Sequence, residues 1–247
     1  MMRIHWLQAT ALAVALVLLG ACASTGRQAE SARAAAINAR LGLAYLEQNK
    51  LELAETKLNR ALAQAPRSSL VHWANALFYE KLGNDGLAEK HFREAIRLNS
   101  RDTDALNGYG AFLCRQGRVE EGLKTFRKMA DNPEYVTPEV AYANAGKCLL
   151  KSGDEAGAEE YFRRALKSNP RYPSALFQMA ALLNNQGRYL GSRAYRQRLE
   201  AVLDAPSPKV LALCVSTERA MGNHEIADNC ERELQSRFPK AGRSGAL

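Results

Sequence analysis

The sequence predicts an all-α fold of stacked helix pairs, on three observations. Ala, Leu, Glu, Lys and Arg, all strong helix formers, dominate the 247 residues, and aromatics make up only 7%. No long valine- and isoleucine-rich tract is present from which a sheet would be built. The chain also resembles itself at a spacing of 34 residues, the length of one helix–turn–helix unit. With 47% apolar and 24% charged residues, it has material for a packed core and is neither disordered nor collagen-like.

The first 21 residues read as a leader. Arg3 is the single charge ahead of an apolar stretch centred on Ala11–Leu19, which is short for a permanent span and lacks a stop-transfer flank. It runs into Leu19-Gly20-Ala21-Cys22, which resembles the lipobox of bacterial lipoproteins. Small residues let the chain lie extended in a peptidase cleft, and Cys22 would receive a diacylglyceryl group. Each buried methylene contributes about 0.8 kcal/mol, so two or three acyl chains hold firmly. An ordinary signal peptide with a cysteine near its end is the alternative. By resemblance to lipoprotein sorting patterns, Ala23 after the cysteine implies the outer membrane. Residues 22–34, small and polar, are expected to form a lipidated tether.

Six repeats are expected next, at 35–68, 69–102, 103–136, 139–172, 173–206 and 208–241, with a tail at 242–247. Leu41-Gly42, Tyr45, Ala54, Leu58, Ala61 and Pro66 of the first recur as Asn75-Ala76, Tyr79, Ala88, Phe92, Ala95 and Ser100. Tyr109-Gly110, Leu113, Gly122, Phe126 and Met129 follow, then, after a two-residue insertion, Ala145-Gly146, Leu149, Ala158, Phe162, Ala165 and Pro170. This pattern resembles the tetratricopeptide repeat, and the resemblance implies an α-solenoid of six helix-turn-helix repeats in a right-handed superhelix. Small residues at positions 8 and 20 let helices A and B approach, large ones at 11 and 24 fill between them, and proline at 32 stops helix B. The fifth and sixth repeats are weaker: Ser192 and Arg196 stand at the small and aromatic positions, and Cys214-Val215 at 7 and 8. Degenerate terminal repeats are expected in a solenoid. Thr137-Pro138, Ser207-Pro208 and Asp102-Thr103 offer helix starts, and Gly83, Gly117, Gly153, Gly187 and Gly222 fall at the A-to-B turns.

Beyond Cys22 the chain has four cysteines, and an oxidising compartment invites two disulfides from three possible connectivities. Cys114 and Cys148 fall on neighbouring A helices, and Cys214 and Cys230 on the two helices of the last repeat, which favours those pairs. Free, buried cysteines are the alternative. No catalytic arrangement is expected. His5, His72, His91 and His224 show no metal-ligand spacing, His72 and His91 reading as ordinary surface helix residues. Gly108-Tyr109-Gly110 lacks the third glycine and the preceding strand of a phosphate loop. The net charge of +8 is scattered without aromatic interleaving, so no nucleic-acid partner is expected, and no cofactor, metal or small-molecule substrate either.

The repeat resemblance implies a concave groove lined by helix A positions 2, 5, 9, 12 and 13. Here the first two repeats place Leu43, Leu46, Leu70, Trp73 and Leu77 there, an apolar strip suited to a partner's amphipathic helix. The middle repeats turn polar and basic with Asn107, Arg115, Lys147 and Lys151, and Phe177 and Asn184 lie beyond. The run Asn107-Gly-Tyr-Gly-Ala-Phe-Leu-Cys-Arg-Gln-Gly117, with Leu41-Gly-Leu-Ala-Tyr-Leu-Glu-Gln48, Asn144-Ala-Gly-Lys-Cys148 and Glu218-Arg-Ala-Met-Gly-Asn223, resembles the PilF/PilW family of type IV pilus lipoproteins. Gly108 stands where that family usually has a second Asn, and Cys214 and Cys230 depart from its pattern. The resemblance implies a non-enzymatic, pilotin-like protein on the periplasmic face of the outer membrane. It would bind the secretin subunit and promote its localisation and multimerisation. A general adaptor that scaffolds peptidoglycan enzymes, or an anchored chaperone for outer-membrane proteins, are the other readings.

Overall fold

Caps, prolines and a recurring left-handed turn residue set the helix boundaries. The structure, a computed structural model, describes residues 28–239; the expected leader, Cys22 and the tail lie outside them. All regular structure among the described residues is helical. Residues 28–47 form α1, which pairs with α2 (Leu51–Gln64). The pairs α3 (Ser69–Lys81) and α4 (Asp85–Leu98), then α5 (Thr103–Arg115) and α6 (Val119–Ala130), follow. After these come α7 (Pro138–Ser152) with α8 (Glu155–Ser168), α9 (Pro173–Asn185) with α10 (Tyr189–Glu200), and α11 (Pro208–Ala220) with α12 (His224–Arg237). One boundary differs from expectation. The segment read as a tether is already helical from residue 28, because Ser31, Ala35 and Ala39 have helix α2 to pack on. Ser31 Oγ donates to the Gln64 carbonyl at 2.9 Å.

Side-chain caps are made by Ser68, Asn84, Asp102 and Asp154, each accepting from a backbone N–H three residues on. Thr137 and Ser207, expected as capping hydroxyls, make no such bond. Their carbonyls instead take the N–H of Val140 and Val210 at 3.0 Å, and the N1 prolines fix the helix starts. Helix B ends just ahead of the prolines: Ala65, Asn169 and Phe238, each preceding a proline, leave the helical region with φ near −140°. Asn99 adopts the same conformation ahead of Ser100, so the turn belongs to the repeat and proline only reinforces it. Between A and B the chain passes through φ between +72° and +86° at five glycines, a region a Cβ disfavours. Asn49 fills that role in the first repeat at φ 56°, as asparagine can.

Contacts gather the chain into two units, the first ending at Gly108 and the second starting at Tyr109. In the first, Ala35, Ala39, Ala54, Leu58, Ala61, Val71, Ala74 and Phe78 form a buried cluster, and α3 packs on both α2 and α4. In the second, a core runs from Cys114 to Val210 through Phe126, Phe162 and Met179, with α7 packed on α6 and α8, and α9 on α8 and α10. The small positions are needed as expected. A Cβ on Gly146 would fall 2.5 Å from the Phe162 ring, and one on Gly110 2.8 Å from Phe126. The weaker fifth repeat packs by a different chemistry. Arg196, at the aromatic position, is buried and donates to Glu218 of α11 at 2.8 Å.

Candidate partner-binding surface

The expected groove residues divide between the two units. In the first, Leu43, Leu46 and Leu70 are half-buried against the unit's own core, and Trp73 and Leu77 are half-buried on α3. They form an outer layer of the core whose edge is accessible, since on a helix only a few residues wide the groove side chains also cover the cluster beneath. Gly108 provides the room for Trp73: a Cβ there would lie 3.0 Å from the indole Nε1 and 2.8 Å from the Phe92 ring. This is a physical reason for glycine at 108. The Trp73 Nε1 is buried and has no hydrogen-bond partner, leaving a donor unsatisfied in an apolar wall. Asn107 is half-buried in the same unit.

In the second unit Arg115, Lys147 and Lys151 are exposed, the two lysines one turn apart on α7. Lys147 Nζ reaches Asn144 Oδ1 only at 3.5 Å. Desolvation of its head group lowers the Lys147 ammonium from its usual value although the residue as a whole is exposed. Phe177 is half-buried against the core. Asn184 is occupied in holding helices together: it donates to Ser216 Oγ at 2.8 Å and accepts from Thr217 Oγ1 at 2.9 Å. The cysteines pair as Cys114–Cys148 and Cys214–Cys230, with Cα separations of 5.5 and 6.2 Å, the connectivity the repeat frame favours.

Two polar clusters were not anticipated. His72 and His91, read as ordinary surface residues, face each other across α3 and α4, with His72 buried. His72 Nε2 donates to the Pro66 carbonyl at 2.9 Å, so in the neutral ring His72 Nδ1 accepts from His91 Nδ1–H at 3.0 Å. Burial, with the neighbouring His72 ring and Lys90, pushes His91 down to about 4. Among the described residues no third ligating side chain joins them. The second cluster centres on Glu218, fully buried, which accepts from Arg193 Nε at 2.9 Å, from Arg196 Nη2 at 2.8 Å and from Asn223 Nδ2 at 3.2 Å. Burial pushes its carboxyl up, and the two guanidiniums, Arg193 foremost, outweigh that and hold it below its ordinary range.

Comparison with known proteins adds to this geometry. A family profile for the tetratricopeptide repeat matches residues 27–204. The type IV pilus assembly protein PilF of Pseudomonas aeruginosa is 31% identical over 199 residues, covering 81% of this chain and 79% of its own length. An uncharacterised Haemophilus influenzae protein is 30% identical over 136 residues, or 55% of this chain and 76% of that protein. Among solved structures, PilW, described as a widely conserved type IV pilus biogenesis factor, superposes with a TM-score of 0.71 at 28% identity, over 83% of this chain and 94% of PilW. Pseudomonas aeruginosa PilF superposes at 0.70 with 27% identity, over 85% of this chain and 95% of PilF.

Proposed function

The chain belongs to the tetratricopeptide repeat family, as a type IV pilus biogenesis protein of the PilF and PilW kind, and from that premise we propose that it is a pilotin-like lipoprotein. In this reading Cys22 is acylated and holds the chain on the periplasmic face of the outer membrane. The repeats take hold of a secretin subunit and bring it, without catalysis, to a membrane-held state ready to multimerise. Anchoring confines the encounter to a surface, which raises the local concentration of subunits and favours their assembly.

The observation that carries this reading is the apolar strip of α1 and α3, where Leu43, Leu46, Leu70, Trp73 and Leu77 keep part of their surface open. A partner's amphipathic helix laid on that strip would bury it and add apolar area where the interface is densest.

The test is the heat-resistant secretin multimer in outer-membrane fractions of cells with and without the protein. The multimer is expected to disappear or shift to the inner membrane without it, and to do the same in Trp73→Glu. Circular dichroism of the purified Trp73→Glu chain separates a lost contact from a lost fold. An unchanged multimer with normal piliation would defeat the reading. The exposed cations Arg115, Lys147 and Lys151 favour the adaptor for envelope enzymes as the reading that would then remain.

A further inference from the structure

The first helix exposes a face that the later repeats bury. At the third position of helix A the later repeats have Val71, Ala105, Ala141, Ala175 and Val210, each no more than 2% exposed. The seventh and tenth positions are buried likewise in α3, α7, α9 and α11. In α1 these three positions are Ile37, 58% exposed, Leu41, 40% exposed, and Ala44, also exposed. An end repeat normally turns a polar face to solvent. The last helix does so, with Glu225, Asp228, Arg232 and Gln235 exposed and Ile226 the large apolar exception. The first helix keeps the apolar residues of an interior position, flanked by exposed Arg33 and Arg40.

We propose that this face of α1 lies in the interfacial layer of the bilayer, with Ile37, Leu41 and Ala44 at the apolar boundary and Arg33 and Arg40 reaching lipid phosphates. The proposal rests on the acylation of Cys22 proposed above. Residues 22–27 can span at most about 20 Å, so an acylated Cys22 keeps the start of α1 close to the membrane surface. At that range a small apolar stripe suffices, because the tether has already covered the entropy of the encounter. A helix with apolar residues flanked by arginine is the chemistry that settles at the lipid interface.

Two other occupants fit less well. Residues 22–27, Cys-Ala-Ser-Thr-Gly-Arg, contain no large apolar side chain to cover Ile37 and Leu41. A second copy meeting this face would bury two large side chains and an alanine per protomer, far short of the roughly 800 Å² per partner of a stable interface.

The experiment uses the full chain matured in cells and reconstituted in phosphatidylethanolamine–phosphatidylglycerol vesicles whose acyl chains are brominated. Ile37→Trp and, as a control on the connection between α6 and α7, Val136→Trp report contact with lipid as quenching of the fluorescence each adds over the parent chain. Val136 is 88% exposed, so both substitutions sit where a larger ring fits. Intact mass is measured on the same samples. With the diacylglyceryl group on Cys22, Ile37→Trp is expected to lose roughly half of its added fluorescence while Val136→Trp keeps its own. Acylated protein with Ile37→Trp unquenched, or with both probes quenched alike, overturns the proposal and leaves the anchor standing. Unquenched Ile37→Trp in a chain that runs as a dimer in detergent assigns the face to a second copy and overturns it too. Mass without the lipid defeats the anchor reading, and this proposal with it.

Discussion

At the scale of single residues, the two polar clusters predict stability losses of the same sign in successive pH windows. The folded chain holds His91 neutral down to about 4, whereas an unfolded chain takes up a proton from about 6.5. Between those values the unfolded state binds more protons, so stability falls as pH is lowered through that window. His91→Gln, which keeps a donor toward His72, is expected to flatten that part of a urea-midpoint profile. Glu218 acts below it. Its carboxyl is held under the ordinary 4.5, so its contribution is full above that value and is lost as pH falls further. Glu218→Gln leaves Arg196 buried beside a neutral partner and should cost about 3–5 kcal/mol by denaturant titration at pH 7. The histidine contact was legible from the repeat frame. His72 and His91 occupy positions 4 and 23 of their repeat, and Tyr142 and Tyr161 meet at the same two positions of another, with ring centroids 6.5 Å apart. The Glu218 network was not legible, because its members lie on two helices and the turn that follows the second, and only packing reveals that an arginine fills an aromatic slot.

At the scale of elements, the helix pairs were readable because the constraint is local and repeated. Small residues at fixed spacing are needed wherever two helices approach this closely. Gly146→Ala would drive a methyl into the buried Phe162 ring and is expected to cost about 1–3 kcal/mol in unfolding free energy. The caps were less readable, since Thr137 and Ser207 have the right side chains and a backbone that bonds elsewhere. The start of α1 at residue 28 is not legible in the sequence, because small polar residues describe a tether and a helix equally well until a partner helix is in place. The two bridges add constraint of different reach. Loop-closure entropy over separations of 34 and 16 residues assigns about 4 kcal/mol to Cys114–Cys148 and about 3 to Cys214–Cys230. Urea titration of the Cys114→Ser/Cys148→Ser and Cys214→Ser/Cys230→Ser chains measures each separately.

At the scale of the whole molecule, the chemistry of the groove residues was legible and their degree of openness was not. The leucines of α1 and α3 serve core and surface at once, while Lys147 and Lys151 of α7 are exposed residues, the first with its head group partly desolvated. Partner binding through the apolar strip should therefore change little with salt, whereas any contact through Lys147 and Lys151 should weaken steeply as salt rises. Binding measured at two ionic strengths, with Trp73→Glu and Lys147→Glu/Lys151→Glu compared, tells which strip a given partner uses.

The placement of the first bridge has a consequence for cutting the chain. Two connections are seven residues long, 131–137 between α6 and α7 and 201–207 between α10 and α11. A protease that clips 131–137 cuts inside the ring closed by Cys114 and Cys148, so the two pieces stay joined and run as one band until a reductant is added. The same clip at 201–207 leaves no covalent link to the last helix pair, because its own bridge is internal to it. An oxidised chain can thus be nicked in its middle and remain a single covalent object, while after a cut at 201–207 its far end is held only by packing and polar contacts, the Glu218 network among them.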